Sequence, residues 1–228
     1  MMENDNMLSS IDRQLYPEDE FPYGQWEYQI FYRENFDKAK QSLEDNPRNT
    51  DKCLFRSGNA ENLGKLANTA FVRKNNGWFK NGIAPDIALD ESVLSRKELE
   101  IYSKYLSENG FFGPGSWYMN TDLNYEYYKK APLKKLGKPV LFIHAKYDRV
   151  CDTCHTSLAD PMRENCSNLK EATIESGHWM AQEKPDDVNK TIKELSLIHI
   201  SEPTRPERIS YALVSLKKKR GGGGGGGG

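Results

Sequence analysis

Apolar residues in the first half of the chain recur at helical spacing and show little of the alternation expected of half-buried strands. One helix is predicted over residues 25–40, with an apolar side made of Trp26, Ile30, Phe36 and Ala39. A second is predicted over residues 120–130, behind a turn at Gly113–Gly115. The pattern of this part indicates a helical domain.

The best-defined helix in this part covers residues 95–108. Ser95 precedes it and Glu98 follows three positions later, which is the pattern of a capping box. Its apolar positions are Leu99, Tyr102 and Leu106. Gly110 then supplies a residue that commonly ends helices. This segment therefore predicts a helix with both ends marked in the sequence.

The pattern changes at Pro139. The short apolar run Val140–His144 predicts a buried strand, and a helix over 155–165 follows it. A second short strand is predicted at Ala172–Ile174, and a closing helix at 185–195 begins with proline in its first turn. Alternating strands and helices predict a parallel α/β unit. Because two strands alone do not make a stable doubly wound sheet, we expect that an upstream part of the sheet is missing from this sequence.

These patterns divide the chain into four parts. We expect a polar N-terminal segment at 1–19, a helical cap at 20–131 and part of an α/β core at 132–195. The last part, 196–228, contains LIHISEPTRP and ends in eight glycines. It resembles a translated sequencing adapter, and a glycine run has no side chains to pack. We expect this tail to be an unfolded artefact.

Composition and charge narrow the class of protein. The 32 basic and 33 acidic residues are interleaved and give a net charge of −1, which offers no surface for nucleic acid or a charged membrane. No window holds the roughly 18 apolar residues of a membrane span. The polar start lacks the apolar core of a signal peptide, so a cytoplasmic location is the expectation.

The four cysteines are most simply free thiols in a chain of this kind. Cys151–His155 fits the CxxCH pattern of haem attachment, but such attachment needs an export route that the sequence does not show. Cys151, Cys154, His155 and Cys166 offer four zinc ligands, although their spacing matches no familiar finger. We therefore expect no metal. His144 is predicted to pack inside its strand.

Asp148 and His178 each lie just past the carboxyl end of a predicted strand. Such loops share one edge of a parallel sheet, so the two side chains can meet there. An aspartate that orients an imidazole allows the imidazole to take a proton from water. Each residue alone has a simpler interpretation, since aspartates are common in turns and histidines on surfaces. Spacing alone leaves both interpretations open.

The sequence motifs around Asp148 and His178 resemble those of a known family. LFIHAKYDRV (141–150) and SGHWMAQEKP (176–185) resemble the acid and histidine loops of epoxide hydrolases of the α/β-hydrolase superfamily, most closely the microbial and fungal soluble type. WEYQIFY (26–32) and GPGSWYMN (113–120) resemble the two cap tyrosine motifs of that family. The similarity covers about Tyr16 to Leu195. It implies a partial α/β-hydrolase: a helical cap followed by the last two strands and helices of the parallel sheet, with the first half of the core missing.

The resemblance implies roles for six residues. Tyr28 and Tyr118 would be phenols that hydrogen-bond the epoxide oxygen, and Asp148 would orient His178, which would activate water. Trp26 and Trp117, beside the tyrosines, would be apolar pocket walls or alternatively part of the cap core. The implied reaction partners are a small apolar epoxide and water, with no cofactor and no nucleic acid; the oligomeric state stays open.

The chain departs from the family in one respect. The nucleophilic aspartate on a strand-to-helix turn and the HGxP segment are not found before Tyr28, and the aspartates there (Asp5, Asp12 and Asp19) follow no apolar strand. We therefore expect an inactive fragment. A haloalkane dehalogenase shares the aspartate–histidine end, but it uses Trp or Asn N–H donors where this chain has tyrosines. A third interpretation is a non-catalytic remnant that binds apolar ligands or a partner hydrolase through its cap.

Overall fold

The computed structural model describes residues 5–130 and 135–200. The two strands are β1 (Leu136–Ala145) and β2 (Cys166–Ile174). The helices are α1 (Asp5–Ser9), α2 (Glu27–Glu34), α3 (Phe36–Glu44), α4 (Pro47–Leu54), α5 (Arg96–Asn109), α6 (Phe112–Ser116), α7 (Thr121–Lys130), α8 (Asp160–Asn165), α9 (Met180–Glu183) and α10 (Pro185–Ile200). Turns of 3₁₀ helix lie at Gly24–Trp26, Ala60–Asn62, Asn68–Phe71, Trp117–Asn120 and Ser157–Ala159. None of these described helices is long and apolar enough to cross a membrane.

The two strands pair in parallel, as predicted, with Val140 opposite Leu169 and Ile143 opposite Ala172. Both are longer than the apolar runs that predicted them: β1 begins with the exposed residues 136–139, and β2 begins with residues 166–171, which are mostly polar and exposed. Hydrogen bonds between β1 and β2 hold those residues in the strands. Such pairing leaves no hydrophobic pattern in the sequence. The part of the chain described here thus forms a two-stranded sheet beside a helical domain.

Most of the hydrophobic core lies in the helical domain. Its largest fully buried side chains include Trp26, Phe31, Leu94 and Leu99. Residues from the polar N-terminal segment join this core, since Ile11 and Tyr16 are 6% and 3% exposed. The Tyr16 hydroxyl also accepts a hydrogen bond from the backbone N–H of Ala67 at 2.9 Å. The N-terminal segment is therefore polar in composition but anchored to the cap.

Several predicted helices differ from the structure in their limits. The helix predicted over 25–40 is divided at Asn35, whose φ of −144° is not helical. The turn predicted at Gly113–Gly115 is instead the short helix α6, which tolerates Pro114 in its first turn because the N–H groups there have no partner within the helix. The helix predicted over 155–165 starts later, because the Asp152 carboxylate accepts the backbone N–H groups of Cys154 and His155 and holds a turn.

The capping box of α5 is formed as predicted, with Ser95 and Glu98 exchanging side-chain and backbone hydrogen bonds. Gly110 ends this helix with a φ of 69°, a left-handed conformation that favours glycine. At the other end of the chain, α10 continues past its predicted end at Leu195 to Ile200. The remainder of the tail expected to be unfolded lies outside the described residues.

The cap contacts the loop that carries His178 through two glycines. A Cβ atom on Gly58 would come within 2.4 Å of the Gly177 Cα atom, so the two backbones touch. Glu183 accepts hydrogen bonds from both backbone N–H groups, at 3.3 Å from Gly58 and 2.8 Å from Gly177. The Trp179 indole N–H donates to the Leu54 carbonyl at 2.6 Å. These contacts fix the His178 loop against the cap.

Candidate active site

Asp148 and His178 meet at the carboxyl edge of the sheet. The backbone N–H of Lys146 donates to the Ile174 carbonyl and that of Tyr147 to the Ser176 carbonyl, both at 2.9 Å, so the pairing continues past the strands. This brings His178 Nδ1 to 2.8 Å from Asp148 Oδ2. The two residues that the strand pattern predicted to approach each other are therefore directly hydrogen-bonded.

The surroundings of Asp148 favour its charged form. Burial of the side chain opposes ionisation, but hydrogen bonds from His178 and from the backbone N–H groups of Val150 and Cys151 outweigh it, so the pKa of Asp148 lies below its ordinary value. Those backbone bonds to Oδ1 measure 2.8 and 3.0 Å. Because Oδ1 is held by the backbone, Oδ2 is fixed toward the imidazole.

His178 is the more open member of the pair. Its side chain is 45% exposed, whereas that of Asp148 is 8% exposed. The hydrogen bond to Asp148 raises the pKa of His178, and partial burial acts in the opposite direction. With Nδ1 bonded to the carboxylate, Nε2 is the ring nitrogen left to exchange a proton with a bound molecule. This is the arrangement of a general base with an orienting acid.

Tyr28 on α2 and Tyr118 on the 3₁₀ turn before α7 lie together in the cap. Their ring centroids are 5.2 Å apart with the planes at 81°, and the Tyr28 hydroxyl accepts a hydrogen bond from the Gln29 side-chain amide at 3.1 Å. Burial is the largest cause that raises the pKa of both phenols. Both therefore keep their protons at neutral pH and can donate a hydrogen bond to an oxygen on a bound molecule.

One cavity of about 850 Å³ joins the two pairs. Tyr28, Tyr118, Asp148 and His178 all line it. Its walls are largely apolar and aromatic, from Leu54, Phe55, Phe71, Trp78, Phe79 and Tyr102. A cavity of this size and lining suits a small apolar molecule that presents one polar atom to the tyrosines.

The two tryptophans expected as pocket walls do not line this cavity. Trp26 is 1% exposed and packs within the cap core, and Trp117 is 80% exposed. Side chains of neighbouring residues on a helical turn point in different directions, so a tryptophan next to a cavity-facing tyrosine faces elsewhere. The pocket-wall assignment of Trp26 and Trp117 is therefore corrected. Trp26 takes the alternative core role, whereas Trp117 lies on the surface.

Other aromatic residues, which the sequence patterns did not single out, form the wall of the cavity beside Tyr28 and Tyr118. Trp78 and Tyr32 line the cavity with the tyrosine pair. The Trp78 ring lies 5.6 Å from that of Tyr28, and Tyr32 stacks on Tyr118 with centroids 5.0 Å apart. Trp78 lies in an irregular segment without helical or strand periodicity, so nothing local marked it. Tyr32 is one helical turn from Tyr28, a spacing that placed it on the same face.

The cysteine-rich motif does not gather into the sets considered from sequence. His155 bonds through Nδ1 to the carboxylate of Asp152 at 3.0 Å. Among the described residues the cluster with metal-ligating geometry is Asp148, Cys151 and His178. His144 is buried in β1, with its ring nitrogens bonded to Thr153 and Glu171 at 2.8 and 2.9 Å, as expected of a packed histidine.

Two carboxylates of the described chain line the cavity, Asp51 and Asp148. The Asp148 carboxylate is hydrogen-bonded to His178. Asp51 is 1% exposed, and one of its oxygens accepts a hydrogen bond from Ser103 at 3.0 Å. Neither of these two described residues therefore presents an open carboxylate to a molecule in the cavity.

Parallel strands that end in an acid and a histidine, next to a helical domain, give the described residues part of an α/β-hydrolase fold. The fold of epoxide hydrolase A from Mycobacterium thermoresistibile superposes with a TM-score of 0.57 at 22% identity, covering 73% of this chain and 50% of that one. A Vigna radiata epoxide hydrolase mutant gives a TM-score of 0.56 at 20% identity, covering 82% and 55%.

The sequence comparisons narrow this class. The homologues of the chain are epoxide hydrolases: it is 30% identical to bifunctional epoxide hydrolase 2 of Rattus norvegicus over 187 residues, which is 80% of this chain and 31% of the rat protein. The mouse protein of the same name is 27% identical over 186 residues, again 80% and 31%. The chain thus spans about a third of the length of these relatives. No family profile matches it.

Proposed function

We propose that the chain supplies the cap and the water-activating half of an epoxide hydrolase active site. The observation that carries this proposal is a single cavity lined both by the neighbouring phenols of Tyr28 and Tyr118 and by a hydrogen-bonded aspartate–histidine pair. This combination matches the two steps of epoxide hydrolysis through an ester. The homology to epoxide hydrolases supports the same reaction.

In the first step, a carboxylate from outside the described residues attacks a carbon of the epoxide ring. The carbon–oxygen bond breaks and its electron pair moves to the ring oxygen, which takes a proton from the tyrosine pair. Tyr28 and Tyr118 suit this role because burial raises the pKa of both phenols and keeps them protonated until the oxygen becomes basic. The product is an alkyl ester of the enzyme and a hydroxyl group.

In the second step, His178 takes a proton from water, and the resulting hydroxide attacks the ester carbonyl. The bond between the carbonyl carbon and the ester oxygen breaks, and the departing oxygen takes the proton of the new carboxyl group, so that the diol leaves and the carboxylate is restored. The imidazolium proton returns through water to the tyrosinate left by the first step. Asp148 holds the ring of His178 and stabilises the imidazolium that forms, because its lowered pKa keeps it charged beside that ring. All atoms of water appear in the product, so no cofactor takes part in this scheme.

The dehalogenase alternative is not favoured by the cavity. Halide release needs free N–H donors, and the cavity contains two indole N–H groups, those of Trp78 and Trp179. Trp78 donates to the Tyr32 hydroxyl at 3.2 Å and Trp179 to the Leu54 carbonyl at 2.6 Å. Both indole donors are therefore already engaged. Because Asn62, Asn68, Asn75 and Asn81 also line the cavity, the preference for an epoxide rests on the tyrosine pair, which suits an ether oxygen.

The test compares the chain with a completed enzyme. We expect the chain alone to form no diol from a disubstituted aryl epoxide above the buffer rate, because the described cavity holds no open carboxylate. A chimera that carries residues 16–195 in place of the matching segment of the rat relative should form diol. In that chimera, His178→Gln should stop turnover after ester formation, and Tyr28→Phe with Tyr118→Phe should stop ester formation.

Three outcomes would contradict the proposal. Diol release by the unmodified chain at an enzyme-like rate would show that it contains a nucleophile. A folded chimera that binds the epoxide without reacting would favour a non-catalytic remnant that binds apolar ligands. Chloride release from chloroalkanes by the chimera, without diol formation, would favour the dehalogenase.

A further inference from the structure

Cys151 adds a thiol to the aspartate–histidine pair. One carboxylate oxygen of Asp148, the sulfur of Cys151 and one ring nitrogen of His178 all lie within 4.8 Å of one another. Asp148 and Cys151 belong to one turn, in which the Cys151 backbone N–H already donates to the Asp148 carboxylate at 3.0 Å. The proposed hydrolysis makes no use of this thiol.

We propose that Asp148, Cys151 and His178 form a binding site for a thiophilic divalent cation, with Zn²⁺ as its natural occupant. Thiolate, imidazole and carboxylate are the three ligand types that zinc takes in proteins. Bonds of about 2.0–2.3 Å in a tetrahedral site place ligand atoms roughly 3.5 Å apart. The three ligand atoms therefore need only small side-chain movements to reach the spacing of a zinc site. Binding replaces the thiol proton, which passes to solvent.

The surroundings provide access and a fourth ligand position. The His178 side chain is 45% exposed and lines the cavity, so a cation and its water can reach the cluster from that side. Two of the three ligands, Asp148 and His178, line the same cavity as Tyr28 and Tyr118. Hard cations such as Mg²⁺ are disfavoured, because they require oxygen ligands.

Occupation of this site would block the proposed water activation. The cation would bind the Asp148 carboxylate and a nitrogen of His178, the two groups that otherwise share a hydrogen bond at 2.8 Å. Zinc would therefore act as an inhibitor of hydrolysis. This inhibitory effect rests on the proposed function, whereas the binding site itself rests only on the three ligand atoms.

The test uses the full chain and measures binding rather than turnover. Co²⁺ is added as a spectroscopic probe for zinc, and we expect a thiolate-to-cobalt charge-transfer band at one equivalent of metal. Cys151→Ser should abolish this band and weaken Zn²⁺ binding at least tenfold by titration calorimetry. Cys154→Ser is the matched control, because it removes a thiol of the same loop that lies outside the cluster, and it should leave both measurements unchanged.

A second measurement needs no variant. Zn²⁺ should protect Cys151 from alkylation by iodoacetamide and leave the alkylation of Cys53, Cys154 and Cys166 unchanged, as followed by peptide mass spectrometry. The proposal is overturned if wild-type protein shows no stoichiometric cobalt–thiolate band, if Cys154→Ser weakens binding as much as Cys151→Ser, or if zinc protects another cysteine instead. If cobalt and zinc bind as proposed but zinc does not inhibit diol formation by the chimera, the proposed role of His178 in hydrolysis is wrong. The metal site is then still supported.

Discussion

At the scale of single residues, the Asp148–His178 hydrogen bond determines how the candidate base titrates. This bond raises the pKa of His178 above its ordinary value of about 6.5. The variant Asp148→Asn removes the charge and should lower that pKa, which an NMR titration of the imidazole resonances measures. Asp152→Asn is the control, since Asp152 bonds to His155 instead. Equal shifts of the His178 resonances in both variants would contradict a specific Asp148–His178 coupling.

A second residue, Asp51, makes stability depend on pH in a defined direction. Burial raises the pKa of Asp51 to about 6, only partly offset by the hydrogen bond from Ser103. Its unfolded value is about 3.9. A raised folded pKa means that the contribution to stability is fully present below about pH 4 and is lost as the pH rises through 6. Asp148, whose pKa is lowered, acts in the opposite sense as the pH falls.

Asp51→Asn should therefore remove part of the pH dependence. We expect the variant to gain about 2–3 kcal/mol of unfolding free energy relative to wild type between pH 4 and pH 7.5. Urea unfolding at both pH values measures this difference. Asp19→Asn serves as the control because Asp19 is exposed. If Asp51→Asn and wild type lose stability in parallel as the pH rises, the carboxyl is not desolvated as described.

At the scale of elements, the contact between Gly58 and Gly177 joins the cap to the His178 loop. In Gly177→Ala the new Cβ atom would lie 2.6 Å from the backbone nitrogen of Gly58, which cannot rotate away. We expect a loss of about 1–3 kcal/mol in the unfolding free energy, as for an overpacked core. Gly137→Ala is the control, because nothing lies within 4 Å of a Cβ atom there. Equal unfolding free energies for the two variants would rule out a tight contact.

The elements also show what the sequence could and could not predict. Ser95 and Glu98 predicted the start of α5 because a capping box is built from residues three positions apart. Asp148 and His178 were predicted to meet because parallel strand ends share an edge. By contrast, Trp78 in the cavity, the polar start of β2 and the Gly58–Gly177 contact depend on tertiary packing. No local pattern records such packing.

At the scale of the whole molecule, burial is unevenly divided between the cap and the sheet. The main core cluster draws its buried residues from Ile11 to Phe111, whereas β1 and β2 are mostly exposed or half-buried. Within the described residues each strand pairs only with the other, so both outer edges lack a neighbour. Two-stranded sheets are marginal on their own, and regions with few buried contacts open first.

Hydrogen exchange should show this division directly. We expect backbone amides of α2, which carries Phe31 at 1% exposed, to exchange at least tenfold more slowly than those of β1 and β2 in the chain alone. In the chimera with the rat relative, the rest of the sheet is restored, and the strands should exchange more slowly than in the chain alone. Slow exchange of both strands in the chain alone would mean that the two-stranded sheet is stable without further strands. That result would favour a self-sufficient binding protein over half of an enzyme core.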